Sequence, residues 1–255
     1  MLGGCPAPAP PQPPKDAHVP PFARVPYEPF GRDAAIAIAL REWRLFGQPV
    51  QESAVAPDET TEDPETKPER WPGLWQRVGE YWWLGLDADR LERAWTGKHD
   101  EIGRAFPAEQ DGRFAWSAAF ISYVMRIAGA GPRFPYSERH AEYINAARRG
   151  EVRWAVRAEP PTRYAPQPGD LICFGRGVDR DLRFEDLPAP PFPSHCDIVV
   201  GREPDRLAVI GGNVADAVAL KHVPIAPDGR LATAEAGVLD TRYPWFVVIR
   251  VLYDR

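Results

Sequence analysis

The spacing of apolar residues changes near residue 150, from a helical period before it to short apolar runs after it. In the first part, apolar side chains recur every three or four residues, as on one face of an amphipathic helix. This pattern predicts helices over 33–46, 72–86 and 137–149, with a short continuation of the second over 87–95. The apolar face of the first helix comprises Ile36, Leu40, Trp43 and Phe46, and that of the second includes Val78, Tyr81, Trp82 and Leu84.

The stretch from Phe114 to Met125 carries no charge and is rich in small and apolar residues. It predicts a buried helix whose first turn begins near Trp116 or Ser117. The Ser117 hydroxyl then lies at a helix N-terminus, where unpaired backbone N–H groups gather. Two interpretations follow: Ser117 only caps its helix, or it is a reactive group.

Short apolar runs bounded by turn residues predict about five strands in the second part of the chain. These runs are 169–174, 194–200, 206–210, 217–223 and 245–252. Helices followed by an antiparallel sheet favour the α+β class. We expect three regions: a Pro-rich leader over 1–26, a helical extension over 27–110 with an acidic loop at 51–70, and a main domain over 111–255.

Composition narrows the range of partners. The formal net charge of −5 gives no reason to expect nucleic acid. No run is long and apolar enough to span a membrane. The tryptophans near the second helix have helical spacing, which favours a packed core over a carbohydrate-binding surface.

Three polar residues stand where chemistry can use them: Ser117 at a helix start, His195 at a strand start, and Asn213 after two glycines at the end of the next strand. Neighbouring antiparallel strands can place His195 beside Asn213, and a helix packed on that sheet can bring Ser117 to His195. This would give a nucleophile, a base and an orienting group. Asp197, on the same strand face as His195, is the alternative orienter.

Four segments occur in the order seen in the CHAP/NlpC-like superfamily of papain-like amidases and endopeptidases that cut bacterial cell-wall peptides. The segments are 116–120, 168–171, 194–200 and 211–213. More closely, the stretch from Phe114 to Leu252 resembles the bacterial family DUF2272, a relative of that superfamily. The resemblance implies a papain-like fold, with the N-terminal helix of the domain packed on the sheet.

The resemblance also implies a catalytic cysteine at a position where this chain has Ser117. A serine hydroxyl is less acidic than a thiol and needs a base during its attack. We therefore expect a cell-envelope hydrolase of amide bonds in peptidoglycan that uses Ser117, His195 and Asn213, with no cofactor. The alternative is an inactive module that binds cell-wall peptide or a protein partner in the same groove.

Several further residues need a role. Trp116, His140 and Gly212 are candidates for the groove, although His140 can equally be a hydrogen-bonded surface residue. Cys196 should face the core, and a disulfide with Cys173 is an open alternative. No metal site is expected, because consecutive strand residues cannot converge on one ion. Residues 175–193 form either a lid or wall of the site, or a packed surface excursion.

The N-terminal Leu2-Gly3-Gly4-Cys5 looks like the lipobox of a bacterial lipoprotein, with Cys5 as the acylated residue. An apolar signal region should precede that cysteine, and four residues are too few for one. If the match is real, the protein is lipid-anchored in the envelope or periplasm; otherwise it is cytoplasmic. Any membrane contact would then run only through Cys5.

Overall fold

A computed structural model describes residues 28–53, 66–86, 97, 99, 104–233 and 235–254, with the backbone alone for Ala108 and Glu109. The Pro-rich leader with Cys5, residues 54–65 of the acidic loop, and the short helix expected over 87–95 lie outside the described residues. The prediction of an exposed acidic loop over 51–70 is wrong at the end of the loop, because Lys67 and Glu69 are buried. Both hold ion-pair or hydrogen-bond partners inside the fold, Asp111 for Lys67 and Trp116 for Glu69.

The described residues form four α-helices: α1 (Arg32–Leu45), α2 (Leu74–Gly85), α3 (Ser117–Ile127) and α4 (His140–Arg149). Helix α3 is central, since every residue from Ser117 to Met125 is buried. Both α1 and α2 pack against it, and α3 itself packs on the sheet. The predicted start of this helix, at Trp116 or Ser117, is confirmed.

The other three helices depart from the predicted pattern in detail. The buried residues of α1 are Ala35, Ala39 and Glu42, so its buried face is one position away from the predicted one. Small alanines let α1 approach its neighbours, and Glu42 is buried because Arg77 and Tyr81 bind it. In α2, Leu84 is 38% exposed and lies on the outer side.

Helix α4 begins at His140, three residues later than predicted. The Ser137 hydroxyl does not cap the helix; it accepts a hydrogen bond from the backbone N–H of Arg139, at 3.0 Å, in the turn that precedes it. Gly150 follows the helix in the left-handed conformation, so the predicted end of the helix at residue 149 is confirmed. His140 is therefore the first residue of α4.

The main sheet has six antiparallel strands in the order β1-β8-β2-β3-β4-β5. The strands are β1 (Val156–Glu159), β2 (Leu171–Gly175), β3 (Ser194–Arg202), β4 (Arg206–Val214), β5 (Ala217–Pro224) and β8 (Trp245–Val251); β6 (Ala232–Thr233) and β7 (Gly237–Val238) form a separate hairpin. All five predicted strands are present. Strand β1 was not predicted, because only Val156 in it is buried and its polar residues suit an edge.

The two faces of the main sheet are covered differently. The helices pack on one face and share one hydrophobic core with it, including Phe30 and Phe46 from the N-terminal part of the described chain. A second buried cluster, around Val199, Val209 and Trp245, fills the other face. The α+β class is confirmed, and the site described below lies where helix N-termini meet the ends of β2 and β3.

A disulfide joins Cys173 on β2 to Cys196 on β3, and these residues are directly opposite in the strand register. Cys196 is fully buried, as expected for a side chain that faces the core. The disulfide therefore fixes the pairing of the two strands next to His195.

Candidate active site

Ser117 is the first residue of α3, and its hydroxyl does not cap that helix. Instead, a hydrogen bond of 2.7 Å joins Ser117 Oγ to Nε2 of His140. The interpretation of Ser117 as an N-cap is therefore wrong for this structure. The side chain stands next to the free N–H groups of the first helical turn while its oxygen contacts an imidazole.

His140 is buried, with 4% of its surface exposed, so it is not a surface residue. Its second ring nitrogen, Nδ1, shares a hydrogen bond with the hydroxyl of Tyr143, one turn further along α4. Burial lowers the pKa of His140 well below its ordinary value; the neighbouring His195, Arg176 and Lys221 lower it further, and the Asp197 carboxylate opposes the shift. His140 is consequently neutral at pH 7.

A neutral imidazole has one N–H donor and one acceptor nitrogen, which gives the Ser117–His140–Tyr143 chain two proton arrangements. With the proton on Nδ1, Tyr143 accepts and Nε2 can take the proton of Ser117. With the proton on Nε2, Tyr143 donates and His140 donates to Ser117. The first arrangement prepares the serine for attack, and the second holds it as a structural group.

His195 lies near the start of β3, with 3% of its surface exposed. Its Nε2 is 3.1 Å from Oδ1 of Asp197, and its ring centroid is 5.3 Å from that of His140. Burial lowers the pKa of His195 to about 4, although the Asp197 carboxylate opposes the shift. Because the carboxylate accepts from Nε2–H, Nδ1 of this neutral ring is the nitrogen that can accept a proton.

Asp197 is held on its other side by Lys221 from β5, whose Nζ is 2.7 Å from Oδ2. Both side chains are almost completely buried. Burial alone would raise the pKa of Asp197, but Lys221 and His195 hold it at about 2. Lys221 is further enclosed by three aromatic rings at 4.8–5.7 Å, those of Tyr243, Phe174 and Trp245.

Sequence reasoning missed Lys221 and Tyr143. The signal for Lys221 was present: a lysine on the inward phase of an otherwise apolar strand requires a buried partner of opposite charge. The signal for Tyr143 was its position three residues after His140, which places the two on one helix face. Neither signal identifies the contact with another element, which is Asp197 for Lys221 and Ser117 for His140.

In the described part of the chain, Asn213 forms no hydrogen bond with the His195 ring. It lies in an irregular stretch near the end of β4, with a positive φ of 54°, where the register with β5 shifts between Gly211 and Val214. Among the described residues, the side chain hydrogen-bonded to the His195 ring is Asp197. The structure thus brings His195 together with the alternative orienter, because both project from the same face of one strand.

The neighbouring glycine explains how that pair fits. A Cβ atom on Gly211 would lie 1.9 Å from Asp197 Oδ1 and 2.9 Å from His195 Nε2. Any side chain at this position would displace the pair. The two glycines that precede Asn213 therefore serve close packing, and Gly211 in particular leaves room for the imidazole and carboxylate.

Trp116 and Gly212 belong to the core and not to a groove. The Trp116 ring is fully buried, and its indole N–H donates to Glu69 at 2.5 Å. A Cβ atom on Gly212 would lie 2.6 Å from Cβ of Phe120 and 2.9 Å from Trp116. Gly212 thus allows β4 to approach α3, which fixes the helix that carries Ser117.

An open cleft of about 410 Å³ leads to Ser117 and His140. The long segment between β2 and β3 supplies Arg176 and residues 191–193 to its wall. The same segment is also packed, since Leu187 and Phe192 are buried and Asn145 of α4 hydrogen-bonds both backbone groups of Ala189. Segment 175–193 is therefore both a wall of the cleft and an ordered excursion.

Across the described parts of the chain, no three His, Cys, Asp or Glu side chains are grouped so that they could hold a metal ion. Within those same parts, none of the helices has the length and apolar character needed to cross a bilayer.

No curated protein and no solved structure matches the chain significantly. One family model, described as an uncharacterized protein conserved in bacteria, matches residues 69–251, from the turn before α2 to the end of β8. The protein therefore belongs to the bacterial family DUF2272.

Proposed function

We propose that this protein hydrolyses amide or peptide bonds in bacterial peptidoglycan, with Ser117 as the nucleophile. One observation carries the proposal: the Ser117 oxygen lies 2.7 Å from a buried, neutral imidazole at the end of an open cleft. A serine becomes a nucleophile when an adjacent base removes its proton during the attack. His140 stands in contact and in the required charge state.

In the Nδ1–H form, His140 accepts the Ser117 proton through Nε2 as Oγ attacks the substrate carbonyl. The unpaired N–H groups of the first turn of α3 are the donors closest in the chain to the developing oxyanion. The protonated His140 then gives its proton to the leaving amine, and an ester on Ser117 remains. Water attacks that ester and loses a proton to His140, which then returns the proton to the serine oxygen as the acid product leaves.

The site holds a second acceptor for the Ser117 proton. His195, oriented by Asp197, is the base expected from the sequence, and its Nδ1 is free of the carboxylate. In the structure the Ser117 hydroxyl is hydrogen-bonded to His140, so we assign the first proton transfer to that residue. His195 would take this role if substrate moved the Ser117 oxygen away from His140.

Two further features support the papain-like, CHAP/NlpC-like relation and the envelope location. Ser117 begins a helix that packs on the sheet, and His195 lies near the start of a strand of that sheet, as the resemblance implies, although the hydrogen bond of Ser117 is to His140 on α4. The Cys173–Cys196 disulfide suits an oxidising compartment such as the bacterial periplasm. Lipidation at Cys5 remains part of the same proposal.

A second candidate function has its own observation. If Tyr143 donates to Nδ1, His140 must donate to Ser117, and the serine is then held without activation. The cleft would then belong to a non-catalytic module that binds cell-wall peptide or a protein partner. The replacement of cysteine by serine is consistent with this alternative.

Incubation of purified peptidoglycan with the wild type, Ser117→Ala and Ser117→Cys separates the two. We expect wild type to release new amine termini and Ser117→Ala to lose this activity by about a thousandfold or more. Amine release is measured by labelling and mass spectrometry of the products. Activity confined to Ser117→Cys would favour the non-catalytic candidate, since the scaffold would still position a base that the serine does not use.

The same assay identifies the base. If His140 is the base, His140→Gln falls to the level of Ser117→Ala while His195→Gln keeps part of the activity. The reverse order would assign the base to His195. Equal activity of wild type and Ser117→Ala would exclude the proposed mechanism.

A further inference from the structure

Two arginines line the cleft that leads to Ser117. Arg139 immediately precedes α4, and Arg176 immediately follows β2. Both line the cleft and both are exposed. Within the described chain, neither guanidinium forms a salt bridge, although the protein pairs many of its other arginines with carboxylates.

Neither arginine stands on a loose segment. The Arg139 N–H donates to Ser137 Oγ at 3.0 Å, and the Arg176 N–H donates to the Pro193 carbonyl at 3.0 Å. Arg176 lies close enough to the catalytic centre for its charge to lower the pKa of both His140 and His195. An anion bound there would sit beside the reacting groups.

A third polar group in the cleft lacks a partner. Ser194 lines the same wall, and its hydroxyl oxygen is buried without a hydrogen-bond partner among the residues described. Ser194 is opposite Gly175 in the register of β2 and β3, so it is close to Arg176. Buried hydroxyls without partners are rare in proteins, and an oxygen atom of a ligand would satisfy this one.

We propose that Arg139, Arg176 and Ser194 bind a carboxylate of the substrate next to the bond that Ser117 attacks. Two guanidinium groups supply charge and paired donors, and the hydroxyl supplies a further donor, which suits the two oxygens of a carboxylate. Glu138 also lines the cleft, and its negative charge would repel a broad anionic surface. The cleft therefore favours a compact anion that contacts the arginines. The inference rests on the proposed function and names its substrate class: an anionic peptide.

The shape of the surface agrees with a peptide longer than the cleft. A larger groove of about 1010 Å³ adjoins the cleft, and Glu138 and Arg139 line both. A chain bound with its carboxylate at Arg139 can therefore continue into this groove. Arg139 would lie between the reacting bond and the rest of the ligand.

Binding of two matched probes tests the inference without any need for turnover. The probes are N-acetyl-alanyl-alanine with a free carboxylate and the same dipeptide with a C-terminal amide. Ser117→Ala protein is titrated with each and followed by NMR. We expect the acid to bind at least about tenfold more tightly than the amide, because charge-assisted hydrogen bonds are lost with the carboxylate.

Variants locate the binding. In the Ser117→Ala background, Arg139→Ala and Arg176→Ala should each weaken binding of the acid by about tenfold, and Ser194→Ala by less. Arg163→Ala is the control, since Arg163 is exposed but does not line the cleft. Equal binding of acid and amide, absence of binding by both, or equal loss in Arg163→Ala would overturn the inference.

The outcome is separable from that of the proposed function. Selective binding of the acid with no hydrolysis of peptidoglycan would uphold the carboxylate site and remove the hydrolase. Hydrolysis without any preference for the acid would uphold the hydrolase and remove the carboxylate site.

Discussion

At the scale of single residues, the site is organised by two hydrogen-bonded chains that meet at neighbouring imidazoles. One runs from Ser117 through His140 to Tyr143, and the other from His195 through Asp197. The second chain continues into the buried Lys221. Its positive charge balances the carboxylate, so that His195 keeps its orientation without being driven into the protonated form.

Replacing Lys221 by methionine should therefore raise the pKa of both imidazoles. Lys221 and Arg176 lower the pKa of His195 and His140, and Asp197 raises it, so loss of Lys221 leaves the carboxylate less opposed. A base must be unprotonated to act, so the acidic limb of the pH–activity profile should move to higher pH, by about one unit or more. The profile of kcat/KM against pH measures this.

Lys67→Met provides the control for this change. Lys67 is another buried lysine paired with an aspartate, 3.3 Å from Asp111, but it belongs to a separate cluster. The Lys67→Met variant should have a lower free energy of unfolding, while the acidic limb of its pH–activity profile should stay in place. An unchanged limb in a folded Lys221→Met protein would contradict the role assigned to Lys221.

Residue-scale prediction from the sequence succeeded where the signal was local. Ser117 starts its helix because a small polar residue precedes an apolar run, and this is visible in the sequence. The partner of Ser117 was not visible, because the contact with His140 depends on how two helix N-termini meet in space. Asp197 was accessible as an alternative to Asn213, since strand alternation alone places it on the face of His195.

At the scale of elements, the position of α3 depends on its close approach to β4. Gly212 makes this approach possible, since its backbone lies against the Phe120 and Trp116 rings. Phe120 and Trp116 are completely buried and have little freedom to move away. The helix that carries Ser117 is thus located by a glycine on the sheet.

Gly212→Ala should destabilise the protein by about 1–3 kcal/mol, because the added methyl group overpacks the contact. Urea unfolding measures the change. Gly201→Ala is the matched control on the neighbouring strand, where an added Cβ would meet its nearest atom, Cβ of Ala208, at an ordinary 3.6 Å. Equal stability of the two variants would show that α3 and β4 are not held as closely as described.

Helices and strands could be predicted where burial alone determines the pattern of apolar residues in their sequences. The runs that became β2, β4, β5 and β8 are apolar on both faces or nearly so, the run of β3 is apolar after Asp197, and each was found. The edge strand β1 has a polar sequence, and its pairing with β8 is set by a partner far along the chain. The start of α4 was predicted too early, because a serine-capped turn resembles a helix start.

At the scale of the whole molecule, the N-terminal helices are part of the same core as the sheet. Glu42 of α1 is completely buried and accepts hydrogen bonds from Arg77 and from the Tyr81 hydroxyl, both on α2. Arg77 also donates to Tyr123 on α3. The Glu42–Arg77 pair therefore links three helices, although α1 lies before the part of the chain that the family model matches.

Glu42→Ala should lower the free energy of unfolding by about 3 kcal/mol, since it leaves Arg77 and Tyr81 without their buried partner. Unfolding should remain a single transition when followed by tryptophan fluorescence and by circular dichroism. Glu80→Ala is the control: Glu80 also pairs with Arg77, but its side chain is 46% exposed, and less than about 1 kcal/mol is expected. Two separate transitions in the wild type would contradict a shared core.

The order of strands was the least predictable property of the molecule. Strand β8, the last in the chain, inserts between β1 and β2, and nothing in its own apolar sequence specifies those neighbours. Asp170, immediately before β2, accepts a hydrogen bond from the N–H of Val251 on β8. Such contacts between distant residues select the order, and they become visible only in the folded chain.

The disulfide between Cys173 and Cys196 closes a covalent ring around the whole segment that forms the wall of the cleft. A protease that cuts once between residues 176 and 193 would leave both fragments attached through sulfur. Limited proteolysis should then give one band of full mass on a gel without reductant and two bands after dithiothreitol. A single cut in this wall would open the cleft to larger molecules while β2, which ends next to Arg176, and β3, which carries His195, stay tethered.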